Sequence, residues 1–247
     1  MSGGKIRQIL LLTDGCSNQG EDPAAVAAYA YEKGITVNVI GIIDEGAGKD
    51  HGMKEVDEIS KSGGGVSQVV YASQLSQTVQ MVTRQAMTQT LQGVVHNELR
   101  HILGEEREME DLPPEKRGEV MEIVDDLGET VNLEVLILVD TSASMKPKLP
   151  MVQEALADLS ISLHSRTGKN HFALFLFPGK RKDADKAADW TANINELTGT
   201  FQRLTTGGVT PTGPALKTAL RYFEKRLGKR SLKAYEARDL PIEESGM

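Results

Sequence analysis

Cysteine is almost absent. Cys16 is the only one in 247 residues, so no disulfide closes within the chain. A reducing, cytoplasmic setting is the simple expectation. Aromatic residues make up only 4% of the chain. The basic stretch 221–238, with seven Lys and Arg, has little of the aromatic interleaving of a single-strand nucleic-acid platform. Positive charge is not in surplus either. A net charge of −7 and a pI near 5.4 argue against nucleic acid as the default partner. No run approaches the ~20 apolar residues of a membrane helix. The opening MSGGKIRQ has no apolar signal core.

Acidic charge is abundant and concentrated. Residues 96–130 hold twelve Asp and Glu against four bases, a local net of −8. Leu112-Pro113-Pro114 breaks this region. On either side helices are expected, one long and faltering near Gly93, the other from Glu115 to Leu127. The region reads as a helical connector outside any sheet.

Apolar runs that read as strands lie at Gln8 to Leu12, Ile35 to Ile43 and Val135 to Val139, the last with no polar alternation. Such runs fit strands buried on both faces of a parallel sheet. Helical patterns alternate with them, which predicts an α/β fold. Asp22 and Pro23 mark a helix start and Gly34 its end. Further helices are expected over Lys54–Ser60, from Ser73, over Leu149–His164, Ile194–Leu204 and Pro214–Arg226. His171 to Phe177 reads as a strand, and a weak edge strand fits near Trp190.

Chemistry gathers where strands end. After Val139 come Asp140, Ser142 and Ser144, spaced by two. A tight loop lets these oxygens converge, as a hard cation such as Mg²⁺ requires. The bland alternative is a turn in which Asp140 caps the next helix. Asp14 follows the first strand in the same way, and Thr210 lies in a Gly-rich loop, Gly207 to Gly213, before a helix. Together these loops resemble the metal-ion-dependent adhesion site (MIDAS) of von Willebrand factor A (vWA) domains. The matching positions are Asp140, Ser142, Ser144, Thr210 and Asp14.

The order departs from that family. There the Asp-x-Ser-x-Ser strand comes first and the Asp-Gly strand last; here Asp14 leads. The chain resembles a circularly permuted vWA domain, cut between its third helix and fourth strand. The fold class implied is α/β, a doubly wound, mostly parallel Rossmann-like sheet with an extra acidic helical connector. Residues 5–87 would be the back half, 88–131 the connector, 132–227 the front half and 228–247 a polar, flexible tail. Halves would pair within one chain, or between two chains as an exchanged dimer.

The resemblance implies Mg²⁺ (or Mn²⁺) held by two carboxylates and three hydroxyls, with an open position for an Asp or Glu of a protein partner. No nucleophile, base or oxyanion donor stands beside these loops in sequence, so binding rather than catalysis is expected. Two alternatives remain: a metal-dependent hydrolase or phosphatase, and a structural vWA domain that binds no metal. The chain also resembles uncharacterised vWA proteins of spore-forming bacteria, which implies a role in sporulation.

Other signals are weaker. His96 and His101 are five apart and share no helical face. Cys16 lies beside the Asp14 loop with no His nearby, so an inert thiol is expected. The Gly207-Gly208 loop lacks the Gly-Lys-Ser/Thr ending of a phosphate loop.

Overall fold

The computed structural model describes residues 4–15, 17–44, 53–103, 112–193 and 209–236. Among the described residues are six strands: β1 (Lys5–Thr13), β2 (Thr36–Ile43), β3 (Ser67–Tyr71), β4 (Asn132–Asp140), β5 (Asn170–Phe177) and β6 (Asp185–Thr191). The helices are α1 (Pro23–Glu32), α2 (Met53–Ser62), α3 (Leu75–Leu103), α4 (Pro114–Thr130), α5 (Leu149–His164) and α6 (Thr212–Glu236).

The strands form one sheet in the order β3-β2-β1-β4-β5-β6. All neighbours run parallel except the edge strand β6, which is antiparallel to β5. The chain moves outward from β1 through β2 to β3, then returns to β4 and moves the other way. The reversal falls between β1 and β4. In open α/β sheets ligands settle at such a switch point, at the strands' carboxyl ends.

Apolar residues on both faces of each central strand explain the missing alternation. On β4, Leu133, Val135, Ile137 and Val139 meet α3, α4 and α5 in one core. Leu136 and Leu138 face the opposite core with α1, α2 and α6. All six side chains are fully buried. The doubly wound, mostly parallel sheet expected from the sequence is therefore present.

Local signals held at most boundaries. The Asp22 carboxylate accepts from Ala24 N at 3.0 Å and opens α1. Gly34 follows that helix at φ +71°, a conformation side chains resist. The edge strand near Trp190 is β6. Two boundaries differ. α3 passes Gly93 unbroken. The glycine is exposed, and Leu91 and Val95 on the same helix pack into the core beside α4. That burial outweighs the ~1 kcal/mol a helical glycine costs. α6 likewise continues past Gly228 to Glu236, where a polar tail was expected to begin. The helix expected over 194–204 lies outside the described residues.

The connector is tied down where it enters β4. The buried Arg166 guanidinium donates to the carbonyls of Gly128 (2.6 and 2.8 Å) and Val131 (2.7 Å). These carbonyls at the end of α4 would otherwise lack partners. Burial pulls the Arg166 pKa below its usual value, opposed by the nearby charge of Glu129.

Candidate metal centre

The register of the two central strands builds the site. Leu12 lies opposite Val139, so Thr13 and Asp140 are neighbours at the carboxyl end. Thr13 Oγ1 donates to Asp140 Oδ2 at 2.8 Å. Asp140 Oδ1 accepts from Ser142 N at 2.8 Å. The Ser142 and Ser144 hydroxyls are 3.2 Å apart, and Ser144 donates to Asp14 Oδ1 at 2.9 Å. Four of the five expected residues thus form one hydrogen-bonded chain across the β1–β4 seam.

Thr210 reaches the same end of the sheet by another route. Its N–H donates to Asn18 Oδ1 at 2.9 Å, and Asn18 N donates to its carbonyl at 3.2 Å. Asn18 belongs to the loop that carries Asp14. The Thr210 hydroxyl is not joined to the hydrogen-bonded chain among the described residues. Two residues on, the buried Thr212 hydroxyl has no partner among them either.

Close packing fixes this junction. Gly20 adopts φ +91°, and a side chain there would strike Pro214. A Cβ on Gly213 would lie 1.9 Å from the Glu21 carbonyl oxygen. The loop after β1 and the start of α6 therefore interlock through two glycines. Glu55 of α2 braces the loop from outside, with both carboxylate oxygens 2.9 Å from Ser17 N.

The structure adds a cation to the site that sequence patterns do not announce. Lys148, at the start of α5, places Nζ 2.6 Å from Asp14 Oδ2 and 3.0 Å from Asp44 Oδ2. The side chains of Lys148 and Asp14 are 4% and 2% exposed, whereas that of Asp44 is 70% exposed. Lysine is ordinarily solvated, so nothing in the sequence marks this one as buried. Asp44 did carry a signal, because it too is a carboxylate at a strand's carboxyl end.

Burial pushes the Asp140 carboxyl above the usual aspartate range, and the charge of Asp14 adds to that. Hydrogen bonds from Ser142 and Thr13 oppose the rise. Burial alone would lower the Lys148 pKa, but its bonds to Asp14 and Asp44 outweigh this and raise it. The ammonium is therefore charged at neutral pH.

The donor set suits a hard divalent cation, being all oxygen. Asp140 keeps lone pairs beyond its two hydrogen bonds. Among the described residues no group of three or more His, Cys, Asp and Glu could hold a metal. An ion here would depend on hydroxyl ligands. Cys16 and the Gly207-Gly208 pair lie outside the described residues.

A curated relative, the "Uncharacterized protein YabS" of Bacillus subtilis (strain 168), is 61% identical over 238 residues, 96% of this chain and 97% of that one. The chain belongs to the YabS family. The von Willebrand factor type A domain family matches residues 135–234. That span contains Asp140, Ser142, Ser144 and Thr210 and leaves Asp14 outside. A crystal structure of an uncharacterised protein from Alicyclobacillus acidocaldarius superposes with a TM-score of 0.83 at 40% identity. The match covers 91% of this chain and 96% of that one. Mussel proximal thread matrix protein 1, "with zinc occupied MIDAS motif", aligns over 87% of this chain and 46% of its own at 17% identity. Its TM-score of 0.30 is too low to inform the site. No helix among the described residues is long and apolar enough to cross a membrane.

Proposed function

We propose that this chain is a divalent-cation-dependent protein-interaction module, a circularly permuted vWA domain that binds an acidic side chain of a partner. The observation that carries the reading is the hydrogen-bonded run Asp140–Ser142–Ser144–Asp14 at the sheet's switch point. Asp140, Ser142, Ser144, Thr210 and Asp14 would hold Mg²⁺ or Mn²⁺. Such an ion supplies an electron-poor coordination position that a carboxylate fills. The three hydroxyl ligands are neutral and weak donors, so the ion stays electron-poor and an incoming anion is favoured.

Permutation is supported by where β1 and α6 meet. Arg7 near the head and Arg226 in α6 both lie on the buried Glu134, at 3.7 and 3.3 Å. A single connection through that place would restore the vWA order of elements. The reading is of binding and not of turnover, in the cytoplasm, with a role in sporulation as its biological setting.

The test is calorimetric titration with Mg²⁺ and Mn²⁺ of the wild type and of Ser142→Ala. Binding by the wild type that is lost in the variant, with unchanged melting, is expected. No heat from either protein refutes the metal. A pull-down from a spore-forming cell lysate with and without chelator then identifies the partner, and equal capture in both arms refutes metal-dependent docking.

A further inference from the structure

Lys148 is unusual for its place. Its ammonium sits on the inner oxygen pair of the site, sharing Asp14 with Ser144: Oδ2 takes the lysine and Oδ1 the serine. The side chain reaches there from the N-cap of α5, just after the Asp140–Ser144 loop, and is nearly as buried as the carboxylate it holds. Its second partner, Asp44, stands at the exposed rim at the end of β2. Lys148 thus has two carboxylates to rest on, one inside the site and one at its edge.

Two aspartates with buried side chains at the ends of neighbouring strands repel each other unless a cation stands near them. Lys148 supplies that cation from the chain itself. A divalent ion at the same oxygens would face a fixed positive charge only one carboxylate away, and like charges at such range act strongly where water is scarce.

We infer that Lys148 is the site's resident cation: it organises Asp14 without metal and competes with a divalent ion for it. Metal entry shifts the ammonium from Asp14 toward Asp44. Lys148 is a positioning residue that sets how tightly the site takes metal, and Asp44 is its alternative seat. The inference rests on the proposed metal site and concerns its affinity, not its existence.

The experiment titrates Mn²⁺ alone into the chelator-treated full chain at pH 7, by calorimetry and by thermal melting. It compares wild type, Lys148→Gln, Lys148→Met and Asp44→Asn. Both neutral replacements are expected to melt lower than wild type in chelator. Both should bind Mn²⁺ at least about tenfold more tightly, since a competing charge is gone. Asp44→Asn is expected to bind more weakly, because the lysine loses its other seat. Neutral variants that melt cooperatively only when Mn²⁺ is added support the inference in its strongest form. Binding by the wild type with equal or weaker binding by both neutral variants overturns it and leaves the metal site standing. Loss of folding that Mn²⁺ does not restore also overturns it. Absence of Mn²⁺ binding in all four proteins overturns this inference and the metal reading together.

Discussion

At the residue scale the decisive feature is charge held out of water. Asp140 is fully buried, and its carboxyl is raised chiefly by that burial. A carboxyl whose folded pKa exceeds its unfolded value costs stability once ionised. Asp140→Asn should therefore stabilise the chelator-treated protein at neutral pH by about 1 kcal/mol, as site-neutralising changes often do. The amide suits the position: its oxygen accepts from Ser142 N, and its NH₂ donates to Thr13 Oγ1, which can turn to the Gly15 carbonyl 3.2 Å away. The gain should be full above the raised pKa, shrink as pH falls and vanish below the unfolded value of about 3.9. Urea melts from pH 4 to 8 measure it, and a less stable variant at pH 7 contradicts the account. Addition of Mn²⁺ should reverse the order, because only the wild type gains the ion. Asp14, Asp140, Ser142 and Ser144 were legible because each is an oxygen side chain at or just beyond a strand's carboxyl end. Lys148 was not, since a lysine's burial depends on carboxylates 104 and 134 residues away.

At the element scale the site depends on how the β1 loop meets α6. The backbones approach so closely that Gly213 leaves no room for a Cβ. Gly213→Ala should force the start of α6 away from Glu21 and cost about 2–3 kcal/mol, the usual scale for overpacking. It should also weaken Mn²⁺ binding, because Thr210 lies just ahead and is held to Asn18. Gly118→Ala is the control: it lies in α4 with nothing within 4 Å of a new Cβ, and should be neutral or slightly stabilising. Equal melting of the two variants contradicts the interlock. Most elements were legible from local rules, namely the Asp22 cap, the Gly34 stop and the Pro113-Pro114 break. The unbroken α3 was not. A lone glycine reads as an interruption, and only the packing of α4 against the same helix shows that the core continues past it. The length of α6 was hidden for a similar reason. Its later turns are polar, and Arg226 is held by Glu134 and by Trp190, whose ring centroid is 4.4 Å away.

At the scale of the whole molecule, chain order and spatial order disagree. β1 and β4 are central neighbours in space yet lie more than a hundred residues apart, and the candidate site exists only because they pair. Within this structure one chain completes the sheet, so light scattering on dilute protein should give the mass of one chain; a stable dimer would point to exchanged halves. If the order is a permutation, the sheet should not care where the chain is cut, because the cost of closing a loop grows only slowly with its length. A rearranged chain tests this directly. It would begin at residue 114 with α4, run into α6 as far as Gly228, cross a flexible linker of roughly ten residues to Lys5, and end with α3. Arg226 and Arg7 already converge on Glu134, so the linker has little distance to span. The rearranged chain should fold as a monomer and lose no more than about 2 kcal/mol in urea melts. It should keep the wild-type Mn²⁺ affinity, because every residue of the site retains its neighbours. A chain that fails to fold would mean that the covalent link between α3 and α4 is itself required, and that the connector is more than a bridge between old ends. The buried Val120 and Val124 of α4 make that the sharpest challenge to the proposal, since they contribute apolar surface that a mere bridge need not bury. For that reason both helices are kept in the rearranged chain, and only the covalent link between them is opened.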